Sequence, residues 1–284
     1  MSTGLSTAFI QLFDAEVKQA YQGSAVLNNV CRMRTGVVGS TANFPNVGKG
    51  QATVRTPQTD VVPLNTSFGT TSVSLTDYNA SEYSDIFNQQ KVNFDERREL
   101  AQVVGNAIGR RQDQVIIDAL SSASAGTTIA NTVVTTGSAS ASDLNVGKIL
   151  SAKKALDAKN VPPTDRHLII HANNLSALLG DERAISGDFQ NIKALVAGEV
   201  STFLGFTVHM IGDRDEGGLA IDGSSDRICY AFHKMSVACA VGIAPKTEVN
   251  YIPEKTSFLV TSMLSMGASV IDTDGLVDVT CRES

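Results

Sequence analysis

Tryptophan is absent from this 284-residue chain, and aromatic residues make up only 6% of it. Sugar-binding and base-stacking grooves are commonly built on exposed aromatic faces, so the scarcity argues against both. Charge is scarce as well: charged residues are 18%, and Ser and Thr together number 51 against 52 charged side chains. A surface made polar by small neutral groups carries few of the charges that keep free monomers apart, and suits one covered by neighbours. Cations are not clustered. Lys+Arg 23 against Asp+Glu 29 gives a formal charge of -6, and no basic run exceeds a pair such as Arg97-Arg98 or Arg110-Arg111. A salt-sensitive grip on nucleic acid needs concentrated cations to displace counterions, which this chain lacks. No stretch approaches the ~20 apolar residues of a membrane helix. Met1 to Phe13 has no basic start followed by an apolar core, so it does not read as a secretory leader.

The four cysteines, Cys31, Cys229, Cys239 and Cys281, show no Cys-x-x-Cys spacing and no adjacent histidine pairs. They read as buried thiols of a protein made in a reducing compartment. If Phe232 to Met235 turns a hairpin, Cys229 and Cys239 would face each other across it. Motifs that carry chemistry are missing too: no phosphate loop, no dinucleotide-binding glycine run, no His-Glu-x-x-His and no Gly-x-Ser-x-Gly elbow. No cofactor is expected. His167 and His171 share a strand face, but two histidines without a third ligand read as structural. Asp272, Asp274 and Asp278 lack the glycine and terminal glutamate of a calcium loop, and Asp272-Thr273-Asp274-Gly275 reads as a turn. Asp213 to Glu216 reads as a solvated loop, since nothing apolar nearby would separate two carboxylate pKa values. An enzyme, specifically a hydrolase, would require His167, His171 and Asp213 to converge on one pocket.

What the sequence does contain is organisation. A loose helical period through Phe9, Leu12, Phe13, Val17 and Tyr21 marks an amphipathic arm within 1–32. From Met33 the texture turns to Gly, Thr, Asn and Pro. Thr53–Arg55 and Asp60–Val62 read as short strands joined through Pro57, and Asn46 to Thr66 holds too few large apolar residues to core itself. It is expected to project as a two-stranded loop. Thr71 to Tyr78 alternates like a half-buried strand. Asp95 to Leu120 is the clearest element: acidic at its start, with apolar residues at Leu100, Val103, Val104, Ala107, Ile108, Val115 and Ile116. Gly105 and Gly109, four apart, would admit another backbone close by.

Beyond a Ser/Ala/Thr/Gly connection with a strand-like Thr127 to Thr135, Asp143 is expected to cap a helix through Val146, Ile149, Leu150 and Leu156. Lys153, Lys154 and Lys159 lie near its end, and Pro162-Pro163 is expected to stop it. His167 to His171 reads as a central strand, then a brief helix ends at Gly180. Phe189 to Val200 reads as a helix, and Leu204-Gly205 as a turn before a strand to Ile211. Gly212 to Gly223 is a polar loop. Strands follow at Ile228–Phe232, Val237–Ile243, Thr247–Ile252, Ser257–Ile271 and Leu276–Cys281. Mixed helices and strands with a strand-rich second half give an α+β class.

In combination these features resemble the major capsid proteins of tailed bacteriophages, the Hong Kong 97 type of fold. The resemblance is carried by TSVSLTDYNASEYSD (71–85) leading into the 95–120 helix, by NIKALVAGEVSTFLGFTVHMI (191–211), and by RICYAFHKMSVACAV (227–241). It covers nearly the whole chain. It implies an N-terminal arm (1–32), an extended-loop region (33–70), a peripheral domain (71–142 and 242–284) with a spine helix, and an axial domain (143–241). The implied function is a non-enzymatic shell subunit forming pentamers and hexamers around double-stranded DNA that it does not bind specifically. Implied partners are its own copies, a separate scaffolding protein (or, in its place, cleavage before this sequence begins), a portal protein and a decoration protein, with no membrane. The implied location is the virion, after assembly in the host cytoplasm. Intersubunit contacts are expected at Lys49, Arg55, Glu96, Arg97, Arg98, Asp215 and Glu216. The family's Lys-Asn crosslink is not expected at Lys49. A tail-tube or surface-layer subunit would share the composition but would not need the spine helix joined to a projecting loop.

Overall fold

The computed structural model describes residues 22–91, 95–135, 137–180 and 202–283. Most of the expected arm and the helix expected at 189–200 lie outside the described residues. The long helix, α2 (Glu96–Ser122, following the short α1 at Ile86–Gln89), has 27 residues with Asp95 at its N-cap and Glu96 and Glu99 in its first turn. At 1.5 Å per residue it spans about 40 Å. Val104, Ile108, Val115, Ile116 and Leu120 form its buried stripe.

The helix lies against a four-stranded sheet made of β1 (Arg32–Thr35), β4 (Thr76–Asp85), β10 (Val237–Ile252) and β11 (Ser257–Val270), in the order β1-β10-β11-β4. The strands expected at 237–243 and 247–252 are one, kept continuous by register shifts between Val241 and Lys246 that absorb the exposed segment around Pro245. At Gly267 the chain passes so close to the Ser74 carbonyl that a Cβ would collide with it, which explains the glycine within a strand.

A second, six-stranded sheet has the order β5-β12-β9-β6-β8-β7. Its strands are β5 (Thr127–Ile129), β6 (Arg166–His171), β7 (Thr202–Phe203), β8 (Phe206–Ile211), β9 (Asp226–His233) and β12 (Leu276–Arg282). Helices α3 (Val146–Ala158) and α4 (Ala172–Gly180) pack on it. Leu204 and Gly205 both have positive φ, at 51° and 88°, as the tight turn between β7 and β8 requires. One large apolar core runs from α2 through both sheets.

Several expectations change. Strand β12 is hydrogen-bonded between β5 and β9 in the six-stranded sheet, so 242–284 does not stay with the four-stranded one, and β10 joins the latter from Val237. Only three residues of the strand expected at Thr127–Thr135 form one. Asn145, not Asp143, caps α3, accepting from the Lys148 amide, while the Asp143 carboxylate accepts from Asn174 at 2.6 Å. Helix α3 stops before the prolines: Lys159 closes it and Asn160 takes φ 60°.

Segment 232–235 is not a hairpin either. A 3-10 turn at Lys234–Ser236 carries the chain from the six-stranded sheet to the four-stranded one, so Cys229 and Cys239 part company. Cys229 instead meets Cys281, and Cys31 meets Cys239; each contact, followed by burial, pushes the Cys229 and Cys31 thiols well above their usual pKa. All four thiols are free and buried.

The return crossing, at Thr273–Gly275, lies beside the first. The Ile271 amide donates to the Ser236 carbonyl at 2.7 Å, and the Ser236 hydroxyl donates to the carbonyls of His233 and Gly275 at 2.6 and 3.2 Å.

Candidate functional site

An outlying hairpin is built from β2 (Thr41–Val47) and β3 (Phe68–Ser74), paired from Thr41↔Ser74 to Val47↔Phe68. Its root is cored: Ala42, Phe44 and Val73 pack against Ala238 and Ala240. The ladder's last bond is Gly48 N–H to the Ser67 carbonyl at 2.8 Å. The expected strands at 53–55 and 60–62 do not form; the paired strands flank them, because Val73 and Phe44 find a core and the tip residues do not. Beyond Gly48 the chain is held within itself by the Thr59 amide and hydroxyl on the Thr56 carbonyl. Val54 is 97% exposed, Val61 90% and Phe68 80%, with Val62 and Leu64 also exposed. Single exposed apolar residues are ordinary, whereas a cluster of this kind on one projection marks an interaction surface.

The expected contact residues divide. Arg55, on the hairpin tip, and Arg98 and Asp215 are exposed. Glu96 accepts from Ser84 at 2.8 Å, tying α2 to β4, and the Arg97 guanidinium stands 4.8 Å over Phe258 and 3.7 Å from Asp95. Glu216 is engaged within its own chain, receiving Arg110 Nε on both carboxylate oxygens at 2.9 Å. Despite partial burial, which raises it, the Glu216 carboxyl is held below its usual pKa by that guanidinium. Lys49 reaches Asp274 at 2.8 Å, and Lys159 reaches the other oxygen of the same carboxylate at 2.8 Å. Those two ammonium groups, Lys159 first, hold the Asp274 carboxyl down to about 2. Asp272 accepts from the Asp274 amide at 2.9 Å, so the turn reading of 272–275 is the one the geometry bears out.

Sequence reasoning missed a buried clasp. Asp113, fully buried on α2, accepts the backbone N–H groups of Val26 and Leu27, both at 2.9 Å, and Arg214 Nη1 at 2.6 Å. One carboxylate thereby joins the segment after residue 21, the spine helix and the 212–218 loop. The approach is close: a Cβ on Gly109 would lie 3.3 Å from Ala25. An acid placed three before Ile116 and seven before Leu120 falls on the apolar stripe, and that misplacement was the available signal.

The three residues a hydrolase would need do not converge. His171 Nε2 lies 3.2 Å from Asp213 and its Nδ1 3.6 Å from Glu283, which Arg227 holds. His167 is elsewhere, 3.1 Å from His209, and burial followed by that neighbour lowers its pKa to about 4. Among the described residues no group of three or more His, Cys, Asp and Glu is arranged to hold a metal ion, and no helix is long and apolar enough to cross a membrane.

Asp278 carries a pH dependence. Burial raises its carboxyl from 3.8 to about 6, and its Oδ1 finds no hydrogen-bond partner. The folded chain therefore binds this proton more tightly than the unfolded one, so its contribution is fully present below pH 3.8 and lost as pH rises through 6. Asp278→Asn is expected to raise stability at pH 7 by on the order of 1 kcal/mol, discounted for partial exposure, and to leave it nearly unchanged at pH 4. Thermal melts of both chains across that range check it.

A family model described as phage capsid protein matches residues 5–283. Comparison with curated protein sequences gives no match. Among solved structures, the capsid of cyanophage P-SCSP1u superposes with a TM-score of 0.77 at 20% identity, covering 100% of this chain and 96% of that one. The capsid of cyanophage Pam1 gives 0.73 at 13% identity, with 99% and 98% covered. A Mycobacterium phage Che8 structure gives 0.69 at 19% identity, with 96% and 97% covered.

Proposed function

The chain belongs to the phage capsid protein family, a structural subunit of the shell with a Hong Kong 97-like fold, and from that premise we propose that its copies close into pentamers and hexamers enclosing double-stranded DNA. The observation that carries this reading is the projecting tip at 49–66, whose Val54 and Val61 are almost wholly exposed in their own subunit and whose Val62 and Leu64 are more than half exposed. Laid on an adjoining copy, the tip would bury them. Heterologous contacts of this kind close into rings when the rotation permits, and many weak ones add through multivalency.

The four-stranded sheet with α2 would be the peripheral domain and the six-stranded sheet with α3 and α4 the axial one. Arg55, Arg98 and Asp215 are the exposed charges proposed to meet neighbours. Lys49, Glu96, Arg97 and Glu216 would act through the contacts they hold within the subunit. The proposed role is geometric and not catalytic. The formal charge of -6 suits a wall that does not grip packaged DNA. A scaffolding protein, a portal protein and a decoration protein are its further proposed partners, with assembly in the host cytoplasm preceding residence in the virion capsid.

Electron microscopy of the expressed chain, alone and with its genomic neighbours, tests the proposal. Closed shells, or rings of five and six, are the expected result. Monomers under every such condition would overturn it.

A further inference from the structure

The ion-paired node at the hairpin root has a position that its modest surface strength does not suggest. The hairpin ladder ends at Gly48 and Ser67, and Lys49 is the next residue along. Its ammonium is bonded to Asp274, which lies in one of the two turns where the chain crosses between sheets. The same carboxylate takes Lys159, the residue that closes α3 on the six-stranded sheet. Asp274 is pre-set for both: the Asx turn from Asp272 fixes its backbone, and Ser236 ties this crossing to the other one. Open clefts flank the node. One, of about 410 Å³, runs beneath the hairpin root past Val47, Phe68 and Ile271. The other, of about 320 Å³, runs along Val161, His233 and Met235 on the six-stranded side. Lys49 and Asp274 line both, so the ion pair bridges a gap and is not the edge of a packed wall.

We propose that Lys49, Asp274 and Lys159 form a latch that couples the angle of the projecting hairpin to the setting of the two sheets against each other. The core at Ala42, Phe44 and Val73 anchors the hairpin to the four-stranded sheet only. Lys49 is the tether that reaches across to the junction and, through Asp274 and Lys159, to the six-stranded sheet. When the sheets shift, Asp274 moves with the crossing and draws the end of the ladder with it. When the pair is broken, the hairpin swings about its core with its tip uncontrolled. A solvated lysine pair fixes little by itself, but a carboxylate held by two ammonium groups on a pre-formed turn loses less entropy on pairing.

The test uses the soluble full-length subunit, so it reads independently of shell formation. Amide hydrogen exchange is followed at Gly48 and over 67–69 in the wild type, Lys49→Ala, Lys49→Arg and Lys159→Ala. Lys49→Ala should speed exchange there by about two- to fivefold with the melting temperature unmoved, Lys159→Ala should do so less, and Lys49→Arg should stay near wild type. Raising salt should speed exchange in the wild type and leave Lys49→Ala unaffected. Spin labels at Thr56 and Lys154, exposed positions on the tip and on α3, should give a narrow distance distribution that broadens in Lys49→Ala. Unchanged exchange and an unchanged distribution in Lys49→Ala would overturn the latch. An equal response of every amide in the chain would overturn it as well, since that is general loosening.

Discussion

Asp113→Ala should destabilise the subunit by about 3–5 kcal/mol, enough to lower its melting temperature by roughly 6–15 °C. The size follows from what is left behind. Arg214, only 4% exposed along its side chain, would lose the carboxylate 2.6 Å away and keep its charge with the Ser24 carbonyl at 3.4 Å. The amides of Val26 and Leu27 would lose their acceptor together. A buried donor left without a partner costs its full desolvation, unlike an exposed one, which turns to water. Asp113→Asn should fall between wild type and alanine, because its oxygen still accepts one bond while its amide faces Arg214. Removing both charges with Asp113→Ala and Arg214→Leu together should cost less than the two single changes added, since each alone creates the unpaired partner. Calorimetry on the wild type and the four variants, Arg214→Leu alone included, checks the ordering. A shift below about 2 °C for Asp113→Ala would mean that water reaches the clasp.

The second large effect spares the fold and removes the shell. Val54→Asp with Val61→Asp is expected to leave the unfolding free energy of the isolated subunit within about 0.5 kcal/mol of wild type, as exposed substitutions generally do. Neither valine contributes to its own core, being 97% and 90% exposed. On a neighbour's surface the same carboxylates would be buried without partners, at several kcal/mol per contact, and a closed shell repeats that penalty in every copy. Sedimentation and electron microscopy should find folded subunits and no shells. Shells at normal yield would show that the tip contributes nothing to closure.

The sequence was most legible where one short-range rule decided the outcome. Acidic residues at the start of 95–120, a long apolar stripe and the absence of proline specify the spine helix to within two residues at its far end. The exposed tip was legible from the same kind of reasoning, since 46–66 holds too few large apolar side chains to core it. The paired strands were placed wrongly because alternation in Thr53–Arg55 and Asp60–Val62 is a local signal, while pairing is won by Phe44 and Val73 reaching Ala238 and Ala240, almost two hundred residues away.

The sheet membership of β12 was hidden for the same reason. Nothing in Leu276–Cys281 tells a reader whether it continues beside β11 or crosses to β9. The clasp is a different kind of miss. Asp113 breaks the helix's apolar pattern, but its partners, two backbone amides and an arginine a hundred residues downstream, are visible only once the chain is folded. The Lys49–Asp274 pair likewise joins residues 225 apart.

The place of β12 inside its sheet sets an order of events for synthesis. The four-stranded sheet draws on 32–35, 76–85 and 237–270, and the six-stranded sheet needs 276–282 slotted between strands made much earlier. The six-stranded half cannot close while the ribosome is still short of residue 282, because a gap between β5 and β9 leaves their edges and the Val277 and Val279 sites open. A nascent chain thus stays unfinished as a building unit until residue 282 has emerged, and a translation product truncated before β12 has no complete body to offer a growing lattice.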